Sequence, residues 1–365
     1  MKKVLLILLV VLVLISFSLT MVGCKKKEVA EPVNTTLRLL TWGGYAPEGL
    51  VAKFKEETGI TVEVIKSNNE EMISKLRATR GGGFDLAQPS QDRISAVQAE
   101  FEIYQAIDWS KVDTDQLDPS LVAAVKKNTL VDGKTYGVPH VYGTSGLIVN
   151  TKLAPEIKDY KDLLDPKYTG RVSYRMKRPT LIAMGYSLGY DPFELYSDLD
   201  GYQKFLDEIG AALIAAKPVV RNYYDNSDQL LESLRSGELV AAMAWEQAGW
   251  KLHEENADLD YLAPTSGPLA WVDTFAIPAK SENVEGAYLW INFIMKPENA
   301  AVFTNAEKYG TASKDAGKYL DPAIADNFSR GLPPEALANT NWYPTVPAGL
   351  EEMEGKVMDK IRASK

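Results

Sequence analysis

Residues Ala270–Pro278, AWVDTFAIP, are the stretch around which the rest of this chain can be arranged. In an extended segment residues i and i+2 point to the same side, so Trp271 and Asp273 share a face. An indole offers a π wall and a carboxylate a counter-ion, a pair suited to an organic ammonium group. The plainer reading is a core Trp in a strand beside a surface Asp. The apolar run closed by Pro278 reads as a strand that returns from a second α/β body to the first.

The flanking sequence supplies both bodies. Thr36–Leu40 reads as a strand running into Thr41-Trp42-Gly43-Gly44-Tyr45, a Gly-bent loop that presents two aromatics. A helix opened by Pro47 and stopped at Gly59 follows, then a strand over 60–65, a helix over 70–79 and a strand over 84–87. This β-α-β-α-β rhythm predicts a mostly parallel sheet, in which ligands sit beyond the carboxyl ends of the strands. Trp42, Tyr45 and Ser90 all fall at that end. Tyr136–Val149 reads as two extended runs that bend at Gly143-Thr144-Ser145-Gly146 and cross into the second body. That body repeats the α/β pattern and includes the buried strand Val240–Trp245, which ends on an aromatic. Helices with proline breaks complete the chain.

Composition limits what such a chain can do. At 365 residues it suits two domains. Its formal net charge of −9 gives no basic face for nucleic acid. Cys24 is the single cysteine, which rules out an intramolecular disulfide, and His140 and His253 are the only histidines, which offer no zinc-ligand set. No metal or cofactor is expected. The opening MKK and the uncharged run Val4–Ile15 read as a signal segment too short to span a bilayer. Met21-Val22-Gly23-Cys24 is similar to a bacterial lipobox, which marks Cys24 as a lipidation site. The expected layout is a signal peptide over 1–23, a tether over 24–35, a first lobe over 36–144 and 273–310, and a second lobe over 145–272 and 311–365.

Seven short motifs then occur in order. They are Thr41-Trp42-x-x-Tyr45, Phe84-Asp85-Leu86-x-x-Pro89-Ser90, Lys167-Tyr168-x-Gly170-Arg171-Val172, Met243-x-Trp245, Trp271-x-Asp273-x-x-Ala276-Ile277-Pro278, Gly286-Ala287-x-x-x-Ile291-Asn292-Phe293 and Tyr309-Gly310-Thr311. Together they resemble the polyamine-binding (spermidine/putrescine) family of substrate-binding proteins that serve ABC importers. The resemblance implies an α/β, two-lobe periplasmic-binding-protein fold with crossing hinge strands and a ligand cleft between the lobes. It implies that Trp42, Tyr45, Trp245 and Trp271 wall the cleft, that Asp273 pairs with an amine, and that Ser90 and Tyr309 add polar contacts. It further implies a small-molecule ligand, permease partners, a monomer, and a place outside the cytoplasm on a membrane held through Cys24.

One segment departs from the family pattern. Tyr174-Arg175-Met176-Lys177-Arg178-Pro179 stands where polyamine binders carry acidic residues. It reads either as a solvated basic turn or as a changed specificity, with Arg175 facing an anionic or neutral end of a zwitterionic ligand such as an amino acid or aminophosphonate. Glu246, beside Trp245, is an alternative second carboxylate facing the cleft. Two other functional classes compete with transport. An enzyme would show a G-x-S-x-G elbow, a P-loop, an H-E-x-x-H helix or a dinucleotide fingerprint in context, and none is present. Glu254/Glu255 and Glu351/Glu352 read as solvated helix faces. A purely structural lipoprotein would have no use for aromatics and an Asp gathered at strand ends.

Overall fold

The computed structural model describes residues 35–364. The expected signal segment over 1–23, the expected lipidation position Cys24 and, save for residue 35, the expected tether over 24–35 lie outside the described residues. The chain starts with β1 (Thr36–Thr41), a helix over Glu48–Thr58, β2 (Thr61–Lys66), a helix over Asn69–Thr79 and β3 (Leu86–Ala87). These strands form a three-stranded parallel sheet in the order β2-β1-β3. Parallel strands need a crossover between them, and the two helices provide it. Leu37 and Leu39 of β1 and Leu50 and Phe54 of the first helix are buried in one apolar cluster with Trp290, Ile291 and Phe293 from the helix Val284–Ile294.

A small hairpin, β4 (Leu130–Val131) and β5 (Lys134–Thr135), precedes β6, which runs without interruption over Val138–Asn150. The expected bend at residues 143–146 is absent: Tyr142–Asn150 stays extended and paired. The glycines serve close approach instead. A Cβ on Gly143 would collide with the Trp271 ring and lie 2.8 Å from Glu246 Oε1, and one on Gly146 would lie 2.5 Å from the Tyr261 hydroxyl.

β7 (Val172–Tyr174), β8 (Val220–Tyr223), β9 (Ala241–Trp245), β10 (Leu259–Leu262) and β11 (Leu269–Phe275) follow, with β12 (Gly310–Thr311) and β13 (Asn341–Trp342) near the C-terminus. They join β6 in a mixed sheet of order β13-β11-β6-β9-β7-β8, with β10 and β12 also paired to β6. Helices over Arg178–Ser187, Leu199–Ala215 and Leu350–Ala363 cover it.

Two strands tie the apolar cores together. Val138 at the start of β6 packs in the cluster of β1, whereas Leu147 and Val149 pack in the larger cluster of β7, β9 and the helix Leu199–Ala215. β11 runs antiparallel to β6 and makes the reverse passage, with Leu269 in the larger core and Phe275 in the first. Its register with β6 shifts between Asp273 and Thr274. Beyond that bulge Thr274 and Phe275 still pair with Pro139 and Val138 of β6, and just past the end of β11 Ala276 and Ala87 of the first sheet exchange backbone hydrogen bonds of 2.8 and 2.9 Å. This is the two-body architecture with crossing strands expected from the sequence.

Candidate functional site

Where β6 and β11 cross, a cleft of about 640 Å³ opens against the ends of β1, β3, β9 and β11. Its walls include every aromatic singled out from the sequence: Trp42, Tyr45, Trp245, Trp271 and Tyr309. Each arrives for a local reason. Trp42 and Tyr45 sit in the turn after β1, and the Trp42 indole N–H donates to the Gln88 carbonyl at 2.9 Å, which fixes its plane. Trp245 is the last residue of β9, opposite Ser145 of β6. Trp271 lies across Gly143 in the β6–β11 register and meets Tyr309 edge-on at 5.2 Å.

Asp273 shares the Trp271 face of β11, as the two-residue spacing requires, and is 3 % exposed. Ser90 donates to one carboxylate oxygen at 2.5 Å and the Tyr45 hydroxyl to the other at 2.6 Å. Asn69, at the start of the helix after β2, donates to the Ser90 hydroxyl at 2.9 Å and accepts the Ser90 backbone N–H at 3.0 Å. No cation among the described residues pairs with Asp273. Burial pushes its pKa up to about 7, against the pull of the two hydroxyl donors. A carboxylate in this state lacks a positive partner, and the cleft is open to deliver one.

Tyr45 is held from behind. Its ring packs edge-on against His140 at 5.6 Å and Phe303 at 5.4 Å. Burial drives the His140 pKa down to about 3, so the ring is neutral. Gln88 donates to its Nδ1 at 2.6 Å and in turn accepts a hydrogen bond from the Thr41 hydroxyl.

Glu246 is placed differently from the other candidates. It is fully buried, accepts the Thr144 backbone N–H at 2.8 Å, and lies beneath Gly143 and Trp271 rather than among the lining residues. Burial raises its pKa to about 8. As the first residue of a helix, it reaches the Trp271 side of Gly143, where burial chiefly, and its charge in addition, raise the hydroxyl pKa values of Tyr45 and Tyr309, while Trp245 lines the cleft.

The basic segment 175–178 is not a uniformly solvated turn. Met176 is buried, Arg178 is nine-tenths buried, and only Lys177 is exposed. The Arg178 Nε donates to Glu354 at 2.7 Å, and Glu354 also accepts the Tyr202 hydroxyl at 2.7 Å. Glu351 reaches Arg178 at 3.5 Å and pairs with Arg93, so it lines the cleft and is not confined to a solvated helix face. Glu254 and Glu255 pair with Lys308 and Arg235, and Glu352 with Lys356. Arg175 stacks on Trp245, its guanidinium carbon 4.9 Å from the ring centre. Asn69, Gln247, Arg93 and Glu351 also line the cleft and were missed in the sequence. Asn69 alone had a usable signal, because it follows β2 at the same sheet end as Trp42 and Ser90.

The profile of the family described as bacterial extracellular solute-binding proteins matches residues 49–329. The chain is 29 % identical over 361 residues to the spermidine/putrescine-binding periplasmic protein 1 of Haemophilus influenzae, covering 95 % of this chain and 96 % of that one. It is 28 % identical over 344 residues to the spermidine/putrescine-binding periplasmic protein of Escherichia coli, covering 91 % and 93 %. A solved structure from Listeria monocytogenes, named for a spermidine/putrescine ABC transporter, superposes with a TM-score of 0.77 at 26 % identity, over 91 % of this chain and 100 % of that one. The family's shared activity is solute binding and not catalysis, which accords with a cleft that gathers aromatics and one unpaired carboxylate. A profile match over most of its length, on a fold of two bodies joined by crossing strands, places this chain in the bacterial extracellular solute-binding protein family.

Proposed function

We propose that this chain is the solute-binding component of an ABC importer and that its cargo is a small organic amine whose ammonium group sits on Asp273. The observation that carries the reading is the buried, unpaired Asp273 carboxylate beneath Trp271, positioned by Tyr45 and Ser90. An ammonium there gains a charge-assisted hydrogen bond and a cation–π contact in a site already shielded from water. The names of the Haemophilus and Escherichia relatives make putrescine and spermidine the first cargo to test. Trp42, Tyr45, Trp245, Trp271 and Tyr309 form the aromatic walls, and Ser90 orients the carboxylate.

The protein works outside the cytoplasm, anchored by lipid on Cys24, as a monomer that delivers cargo to permease subunits. The lipobox-like Met21–Cys24 supports the anchor, and among the described residues no helix is long and apolar enough to cross a membrane. A thermal-shift panel of diamines, polyamines and amino acids tests the cargo, since a ligand that binds the folded state raises its melting temperature by mass action. Amines should shift the transition, and a panel in which no amine does so would refute the reading. Cys24→Ser should move the protein from the membrane to the soluble fraction, and retention in the membrane would refute the anchor.

A further inference from the structure

The charges around the cleft are not evenly satisfied. Among the lining acids, Glu354 and Glu351 are taken by Arg178 and Arg93, Glu70 pairs with Arg93 at 3.3 Å, and Asp92 lies 3.6 Å from Arg93. Asp273 alone of these lining acids has no cation, and Glu246, buried behind Trp271 and not part of the lining, has none either among the described residues. On the opposite side, Arg175 and Lys177 line the cleft and have no carboxylate within ion-pair distance among the described residues. The Arg175 Nε is buried with no acceptor. Its guanidinium lies against Trp245, which removes water from one face and supplies no hydrogen-bond acceptor. Beside it a recess of about 30 Å³, which shares Ser145, Arg175, Pro179 and Trp245 with the cleft, is also lined by Thr180 and Met243 and has no acidic side chain.

From this we infer that the cleft has a second, anion-accepting subsite centred on Arg175, so that the cargo is an amine that also carries an acidic group, a carboxylate or phosphonate, at its other end. The inference rests on the reading of Asp273 as the ammonium seat. Arg175 presents a planar fork of donors that matches the two oxygens of a carboxylate, and the recess accommodates a group of a few atoms. A cargo of this kind leaves neither Asp273 nor Arg175 uncompensated. A free diamine bound at Asp273 would direct its second ammonium toward Arg175 and Lys177, which repel it.

The test uses matched pairs of α,ω-diamines and ω-amino acids of equal chain length, with ω-aminoalkylphosphonates as a third series, titrated calorimetrically into the wild-type protein and into Arg175→Met. The acid-bearing amines should bind the wild type about tenfold or more tightly than the matched diamines. Arg175→Met should abolish that preference and leave diamine binding unchanged or improved. Diamines that bind the wild type as well as their matched amino acids, with Arg175→Met indifferent to both, would overturn the subsite and leave the Asp273 reading in place. If no series binds and Asp273→Asn alters nothing, both fail together. The comparison within the wild type needs no variant, so it holds even where Arg175→Met is poorly folded.

Discussion

A carboxylate that is buried between two hydroxyls and lacks a cation fixes the behaviour of the residues around it. Because the Asp273 pKa is raised to about 7, its protonated form dominates in the empty protein at mildly acidic pH. An ammonium cargo binds the ionised form, so affinity should climb as pH rises toward about 7, and binding below that pH should release a proton. Calorimetry in buffers of different ionisation enthalpy reads this release directly. The effect on the empty fold has the opposite sense. Asp273 and Glu246 both have pKa values above those of the unfolded chain, so they favour folding at low pH, and that contribution is lost as pH rises through about 7 and 8. The ligand-free melting temperature should therefore fall between about pH 5 and pH 9, and Glu246→Gln should flatten the fall. A melting temperature that climbs over this range would contradict the burial of both groups. Trp271→Ala should weaken amine binding by about 1–2 kcal/mol, the worth of a desolvated cation–π contact, measured by the same titrations.

At the scale of elements, the crossing of β6 and β11 carries the site, and Gly143 is where Trp271 and Glu246 pack against its backbone. A methyl group there meets both the Trp271 ring and the Glu246 carboxylate. Gly143→Ala should displace Trp271 and cost about tenfold or more in affinity with an unchanged far-UV circular dichroism spectrum, and full affinity in that variant would contradict the packing. The last helix, Leu350–Ala363, is fixed by Glu354, whose carboxylate meets a nine-tenths buried Arg178. Glu354→Ala leaves the Arg178 guanidinium only the longer 3.5 Å contact to Glu351 and leaves the Tyr202 hydroxyl without its acceptor, and should destabilise the protein by about 2–3 kcal/mol, read by chemical denaturation.

The elements were also where the sequence was most and least legible. The first sheet could be read because Thr36–Thr41 and Thr61–Lys66 are followed by short helices with clear signals, Gly59 closing the first and Asn68 capping the start of the second. β6 could not be read as one strand, since Gly143 and Gly146 give the same signal for a bend as for a close neighbour, and that neighbour is more than a hundred residues away. For the same reason Trp271 and Asp273 could be placed on one face from spacing alone, whereas the pairing of Glu354 with Arg178 could not be foreseen, because it depends on how the C-terminal helix docks. The basic run 175–178 separated into a buried, a stacked and an exposed cation only once that helix was in place.

For the molecule as a whole, the arrangement predicts closure on cargo. Residues from the end of the first sheet meet the C-terminal segment at the cleft edge, with Arg93 paired to Glu351 and the Val346 N–H donating to the Asp92 carbonyl at 3.3 Å. Lys308, nearly buried beside Tyr309, reaches Glu254 at 2.8 Å. These contacts favour the closed form. Cargo that spans Asp273 and the Trp245 wall should add to them and reduce the radius of gyration in solution scattering, and a ligand that binds without compaction would contradict a hinge at β6 and β11. The proposed selection of cargo rests on the charge of one carboxylate, Asp273. Its most direct test is calorimetric titration of the wild type and Asp273→Asn with whichever of putrescine, spermidine or an ω-amino acid binds the wild type tightest. Asn keeps the shape and removes the charge, so affinity should fall by tens to hundreds of fold, about 2–4 kcal/mol, with no proton release. Equal affinity in the two proteins would contradict it.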